Sequence, residues 1–178
     1  MRKTLSALSL VIGILLADCG ISGANIEVNG YVFGFEVQTQ KSVREFNRDL
    51  LEVKGTLKKY PELKDIKVVL LRQKLKKVSG FYYRRTMYLS KDIENTMLHE
   101  YAHSVATPRI IKSFSKFMYN TKPVKSKSWY LDSEEDFAEA YRVYRNGGTK
   151  DTLFPGNDKE KMARFYKAWK IRGNSYEK

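Results

Sequence analysis

The chain has very little cysteine and histidine. Its 178 residues include one cysteine, Cys19, and two histidines, His99 and His103. A lone cysteine excludes an internal disulfide framework and a metal site built from cysteine pairs. Proline is also scarce, with four residues, and no internal repeat is present. With 42% hydrophobic and 13% aromatic residues, the chain is neither disordered by composition nor a repeat protein, and it can form one buried core.

The longest uncharged stretch, from Thr4 to Ala17, lies near the amino end and follows Arg2 and Lys3. It is too short to span a bilayer and has the form of the apolar segment of a signal peptide. Small residues at Ser22-Gly23-Ala24 fit a signal-peptidase cleavage site. The sequence therefore predicts an exported protein with residues 1–24 as signal peptide and residues 25–178 as a single domain.

The same segment also allows an alternative prediction, a lipid-anchored protein. Leu16-Ala17-Asp18-Cys19 resembles a bacterial lipobox, in which Cys19 is lipidated and anchors the protein to a membrane. Asp18 replaces the small residue that normally precedes the lipobox cysteine, so cleavage after Ala24 is favoured. The mature chain would then contain no thiol, and neither disulfides nor cysteine ligands could contribute.

Charge of one sign dominates the chain. Its formal net charge is +13, and loss of residues 1–24 leaves 31 basic and 19 acidic residues, or +12. Such a protein can adhere to an anionic cell-wall or membrane-surface polymer, although a lysine-rich face that only keeps the protein soluble explains the charge equally well. No basic run has the aromatic spacing of a nucleic-acid-binding module, so no specific nucleic acid is expected.

Hydrophobic periodicity predicts an α+β fold with a small mixed sheet and a helical carboxyl-terminal part. An edge strand over 81–89 is expected to present Tyr82, Arg84 and Tyr88 on one outer face beside a cleft. The segment 72–78 is predicted to be a basic connector. The other predicted elements are a hairpin over 26–37 turning at Asn29-Gly30, a strand over 66–71, and helices over 42–60, 91–107, 108–118, 133–145 and 158–172.

Both histidines belong to the pentapeptide His99-Glu100-Tyr101-Ala102-His103. On a helix, residues four apart share one face, so two imidazole nitrogens can reach one ion at ~2 Å. Glu100 is then placed to take a proton from a water on that ion. This HExxH pattern is typical of zinc metallopeptidases, although so short a motif also arises by chance. The predicted cofactor is Zn²⁺.

A zinc ion that activates water needs a third protein ligand. No further histidine remains, and Arg109 occupies the position of the third histidine in HExxHxxGxxH, so a carboxylate must complete the set. The acids between Asp132 and Glu139 stand out, and Glu135 and Glu139 share one face of the predicted helix. The helix dipole explains acids in the first turn, but it does not explain Glu139 one turn further in.

The two motifs together, HEYAH and Glu135-Asp136-Phe137-Ala138-Glu139-Ala140-Tyr141, resemble the gluzincin metallopeptidases of the anthrax lethal factor type and the similar Pro-Pro endopeptidases. The order of elements is also similar over roughly residues 42–172. The resemblance implies a zincin-like fold, Glu135 as third zinc ligand, and Glu139 behind it, orienting a zinc-bound histidine.

One position departs from this family. Its members have an oxyanion-stabilising tyrosine seven residues before the ligand glutamate, where this chain has Ser128. Tyr130, five residues before Glu135, can supply that hydroxyl through a shorter loop, or it is a half-buried aromatic with no such role.

The resulting hypothesis is a secreted, monomeric zinc endopeptidase that acts on a protein or peptide substrate, with Glu100 as general base. The substrate would pair with the edge strand, where Tyr82, Arg84 and Tyr88 are candidate specificity residues. A toxin-like effector would share this chemistry and differ in target. The alternative from another class is a zincin-fold binding protein that adheres to anionic polymers without proteolysis.

Overall fold

The computed structural model describes residues 27–150, 152–153 and 158–173. The signal-peptide and lipobox predictions concern residues outside this range. Strands and helices are both present, which confirms the α+β class. The strands are β1 (Glu27–Val28), β2 (Tyr31–Val32), β3 (Phe35–Gln40), β4 (Lys67–Leu70), β5 (Gln73–Leu75), β6 (Gly80–Tyr83) and β7 (Thr86–Leu89). The helices are α1 (Val43–Lys59), α2 (Ile93–Val105), α3 (Pro108–Tyr119), α4 (Ser133–Asn146) and α5 (Lys159–Gly173).

The chain divides into two compact units, residues 1–93 and 94–178. The first unit has an antiparallel sheet in the order β1-β2-β3-β5 and a mixed sheet in the order β4-β7-β6, with β4 parallel to β7. One apolar cluster joins the two sheets: it consists of Val32 and Leu75 from the first sheet, Val69 from the second, and Leu71, which directly follows β4. The predicted turn at Asn29-Gly30 is confirmed, because both residues have positive φ and connect β1 to β2.

Two predictions for this unit were wrong. The expected single strand over 81–89 is a hairpin of β6 and β7, because Arg84 and Arg85 adopt φ values of 47° and 60° and reverse the chain. Neither arginine carries the usual turn signal, so the sequence hides this turn. Cross-strand pairing joins Tyr82 to Met87, which places Tyr82 and Tyr88 on opposite faces instead of one. β7 is also the central strand, not an edge.

The predicted connector over 72–78 was the second error, since β5 lies inside it and pairs with β3. Its three residues are too few to show a period of two, and the partner strand lies more than thirty residues earlier in the chain. Buried Ser90 fixes β5 further, because its hydroxyl accepts from Leu75 N at 2.7 Å and donates to Gln73 O at 3.2 Å.

Helix α1 begins at a complete capping box. Ser42 Oγ accepts from Glu45 N at 3.2 Å, and Glu45 Oε2 accepts from Ser42 N at 2.9 Å. The helix ends at Lys59, before Pro61, as the sequence indicates. The buried ammonium of Lys41, just before the helix, lies 2.8 Å from the carboxylate of Asp49 within it. Burial lowers the pKa of Lys41, and the contact with Asp49 opposes this change.

The second unit is helical. Its core is a group of aromatic rings from α3, α4 and α5, in which Phe114, Phe137 and Tyr166 are fully buried. The Tyr166 hydroxyl donates to the Phe137 carbonyl at 2.8 Å, so the polar end of the ring is satisfied inside the core. Thr107 caps α3, with its hydroxyl accepting from Ile110 N, and Pro108 occupies the first turn, so the helix begins at the predicted residue 108.

None of the helices in the described ranges combines the length and the apolar character that a membrane crossing requires.

Candidate metal centre

Two helices of the second unit carry the candidate site. α2 places His99 and His103 one turn apart on the same face. α4 is capped by Asp132, whose side chain accepts from Glu134 N at 2.8 Å and from Ser126 N at 3.1 Å. The cap sets Glu135 in the first turn of α4, and Glu139 follows one turn later on the same face.

The structure brings His99, His103 and Glu135 together. His99 Nε2 lies 3.1 Å from His103 Nε2 and 3.2 Å from Glu135 Oε2, and His103 Nε2 lies 3.4 Å from the same carboxylate oxygen. These atoms form a grouping that could hold a metal ion. Four ligands at ~2.0–2.1 Å around a tetrahedral ion are ~3.3 Å apart, so the three separations fit a tetrahedral shell with one position left open.

The other ring nitrogens also face carboxylates. His99 Nδ1 lies 3.4 Å from Glu139 Oε2, and His103 Nδ1 lies 3.4 Å from Glu134 Oε1. A proton held on each Nδ1 by these carboxylates leaves the Nε2 lone pair for an ion. Lys125 in turn binds Glu134 at 2.9 Å.

Arg142 holds the Glu139 carboxylate from the next turn of α4. Its Nε donates to both carboxylate oxygens at 3.0 Å, and its Nη2 donates to Oε1 at 2.5 Å. Other guanidinium contacts reach Asn95 Oδ1 at 3.4 Å and Thr149 O at 3.0 Å. Asn146 also donates to Asn95 Oδ1, at 2.5 Å. The carboxylate behind His99 is therefore fixed from two elements besides its own helix turn.

The electrostatics favour cationic histidines facing anionic carboxylates. Burial acts to lower the pKa of His103, but Glu134 and Glu135 outweigh it and raise that pKa to about 10. The pKa of His99 rises against the same effect of burial because of Glu135 and Glu139. Burial acts to raise the pKa of Glu139 and Glu135, but the histidine contacts outweigh it, so that the pKa of Glu135 lies well below its usual range and that of Glu139, helped by Arg142, is about 2. His103, with Lys125, lowers the pKa of Glu134 to about 2 against the effect of burial. A metal ion must displace the protons on the Nε2 atoms of the two histidines to bind.

A second buried charge lies next to Glu135 on α4. Asp136 is 1% exposed, and its carboxylate accepts from Lys150 at 2.6 Å, Thr152 at 2.7 Å and Tyr119 at 2.8 Å. The Lys150 side chain is buried as well. These bonds fix the rotation of α4 about its axis, and with it the direction in which Glu135 points.

The other predicted site residues are Glu100, Tyr130 and the three candidate substrate contacts. Glu100 is buried on α2, and its charge contributes to the raised pKa of both histidines. Tyr130 lies in the short 3-10 turn Trp129–Leu131, is 48% exposed and packs edge-on against Trp129. The three predicted substrate contacts belong to the first unit: Tyr82 and Tyr88 lie in the β6–β7 hairpin, and exposed Arg84 lies in its turn, over the Tyr83 ring.

Sequence reasoning missed Glu134 and Arg142. Glu134 looked like an acid that only favours the helix dipole, yet it contacts His103. Arg142 follows Glu139 by three residues, a spacing at which side chains meet on a helix, and this was the available signal.

Comparison of the chain with protein-family models, curated proteins and solved structures found no match. The family resemblance therefore rests on the two short motifs and on the order of elements alone.

Proposed function

We propose that this protein is a zinc-dependent endopeptidase with a zincin-like fold. The observation that carries the proposal is the mutual separation of 3.1–3.4 Å among His99 Nε2, His103 Nε2 and Glu135 Oε2. Two imidazoles and one carboxylate are a common protein ligand set for catalytic zinc. The motifs HEYAH and EDFAEAY add support through their resemblance to the lethal factor type of metallopeptidase.

Each residue has a defined task in this proposal. A zinc ion held by His99, His103 and Glu135 would polarise the scissile carbonyl and lower the pKa of a water molecule. Glu100 takes the proton of the attacking water and delivers it to the leaving amine, so that the peptide bond is broken without net consumption of the base. Glu139 and Glu134 keep protons on the Nδ1 atoms and thereby fix the orientation of the two rings.

The matched pair Glu100→Gln and Glu135→Gln tests the proposal. In Glu100→Gln we expect zinc affinity close to that of the wild type and peptide cleavage reduced by ~10²–10⁴-fold, because only the base is lost. In Glu135→Gln we expect both to fall. Zinc content by atomic emission and cleavage of a peptide library measure the two properties. Full activity of Glu100→Gln, or a wild type without stoichiometric zinc, contradicts the proposal.

The Tyr130 hydroxyl is the proposed oxyanion donor. Tyr130→Phe should lower kcat by ~10²–10³-fold and leave zinc affinity unchanged, as expected when one such donor is removed. Unchanged kcat in Tyr130→Phe would remove this residue from the mechanism without affecting the zinc site.

The alternative function is binding to anionic polymers without proteolysis. It would be supported if the protein bound zinc, cleaved no peptide at any zinc level, and were released from a polyanion by salt.

A further inference from the structure

We propose that Arg142 is a positioning residue for the metal centre, acting through Glu139 on the ring of His99. This inference rests on the proposed zinc site and adds a residue to it. Its guanidinium contacts the carboxylate of Glu139, which in turn faces Nδ1 of His99.

The geometry of the guanidinium supports this role. Three of its hydrogen bonds, at 2.5–3.0 Å, go to the Glu139 carboxylate, and this fork restricts both rotation and displacement of the carboxylate. Both side chains are mostly buried, with 14% of Glu139 and 16% of Arg142 exposed. A buried pair of this kind is screened little by solvent, so the carboxylate stays charged and can hold the Nδ1 proton of His99.

The fork itself is anchored to elements other than α4. Nη1 contacts Asn95 Oδ1, and Asn95 lies on α2 four residues before His99. Nη2 also donates to the carbonyl of Thr149, in the segment that follows α4. These two contacts hold the guanidinium in place, so that its fork keeps the Glu139 carboxylate directed at the ring of His99.

Zinc affinity is the first readout. Contacts of this kind are worth ~10–100-fold in metal affinity, so Arg142→Met should weaken zinc binding by that factor. Arg142→Lys keeps the charge without the fork and should fall between Arg142→Met and the wild type. Competition with a chromophoric chelator measures the affinities. Arg145→Met, which removes an arginine three residues further along α4 whose guanidinium lies over the Tyr144 ring, is the matched control and should bind zinc like the wild type.

A double-mutant cycle separates action through Glu139 from a general effect on the fold. If Arg142 acts through the carboxylate, Arg142→Met should cost almost nothing further in a Glu139→Gln background. If it only supports the fold, the two losses should multiply. Multiplied losses, or wild-type affinity in Arg142→Met, overturn the proposal.

The second readout is the His99 ring itself. Only two histidines are present, so imidazole ¹⁵N resonances can be assigned with a single His103→Gln spectrum. Folded, zinc-loaded Arg142→Lys should exchange the His99 Nδ1 proton faster than the wild type, and an unchanged exchange rate contradicts the proposal even if Arg142→Met fails to fold. A wild type that binds no zinc overturns the proposed function as well, whereas zinc-loaded active wild type with unaffected Arg142 variants overturns this inference alone.

Discussion

At the scale of single residues, each histidine of the site is paired with carboxylates at both ring nitrogens. His103 faces Glu134 through Nδ1 and Glu135 through Nε2, so both ring nitrogens have an anionic neighbour. The same arrangement recurs at His99 with Glu135 and Glu139. Without a metal ion each imidazole is stabilised as a cation, and with one the carboxylates balance the charge of the ion. The site therefore remains nearly neutral in both states.

This pairing predicts the pH dependence of the metal-free protein. The pKa of His103 is raised from 6.5 to about 10 in the folded state, so its contribution to stability is complete below the unfolded-state value and is lost as the pH rises through about 10. Urea unfolding of chelator-treated protein should therefore give a lower free energy of unfolding at pH 10 than at pH 6.5.

The matched variant for this measurement is His103→Gln. Tyrosines and lysines also titrate near pH 10, and their effect is common to both proteins. The variant should lose less stability over this interval than the wild type does. Equal losses in the two proteins would contradict the raised pKa of His103.

At the scale of elements, the helix caps determine where the ligands lie. Asp132 caps α4 three residues before Glu135 and two turns before Glu139. Ser42 caps α1 in the first unit, where its hydroxyl accepts from Glu45 N. Of these two helices, only α4 carries a candidate ligand.

Asp132→Ala and Ser42→Ala form a matched pair. Loss of the cap should lower the free energy of unfolding by about 1 kcal/mol in each, and Asp132→Ala should cost more than Ser42→Ala because Ser126 N also loses its acceptor. Only Asp132→Ala should also weaken zinc binding, because fraying of the first turn of α4 displaces Glu135. Chemical denaturation and chelator competition measure the two effects. Equal zinc affinities in the two variants would show that the cap does not position the ligand.

Elements with local signals were predictable. α1, α3 and α4 begin at Ser42, Thr107 and Asp132, three side chains that cap within their own turn, and all three helices were placed from the sequence. β5 and the turn at Arg84 were missed, because strand pairing and a left-handed backbone without glycine or asparagine depend on distant contacts.

The same division applies to the candidate site. HEYAH carries its own spacing, so the relation of His99 to His103 followed from the helix period alone. That Glu135, 36 residues after His99, lies close to both histidines could be expected only from the resemblance to a family. Glu134 was missed because its partner, His103, lies on the other helix. The spacing of Arg142 from Glu139 was visible in the sequence, but the contact of Glu139 with His99, which gives that pair its place in the site, appears only once the two helices are packed.

At the scale of the whole molecule, the candidate site and the sheets belong to different compact units. All proposed zinc contacts lie in residues 94–178, whereas all seven strands in the described ranges lie in residues 1–93. The units are joined within one chain segment at the start of α2. Metal binding should therefore act first on the stability of the helical unit.

Hydrogen exchange with mass spectrometry tests this expectation. Zinc at 100 times its dissociation constant stabilises the state that binds it by about 2.7 kcal/mol. Exchange should slow in α2 and α4, while the strands β4, β6 and β7 should change less. In the Glu135→Gln variant the same zinc concentration should have little effect. Equal slowing in both units of the wild type would mean that they open as one cooperative body.

The buried pair of Asp136 and Lys150 has a consequence for natural variation. Loss of one partner leaves the other charge buried in the helical unit without its counter-charge and costs ~3–5 kcal/mol, whereas replacement of both by apolar residues of similar volume removes both charges and costs less. A substitution at only one of the two positions is therefore selected against, and the two residues are expected to be replaced together. Homologous chains should keep both charges or have neither, so these positions should covary even though neither touches the metal centre.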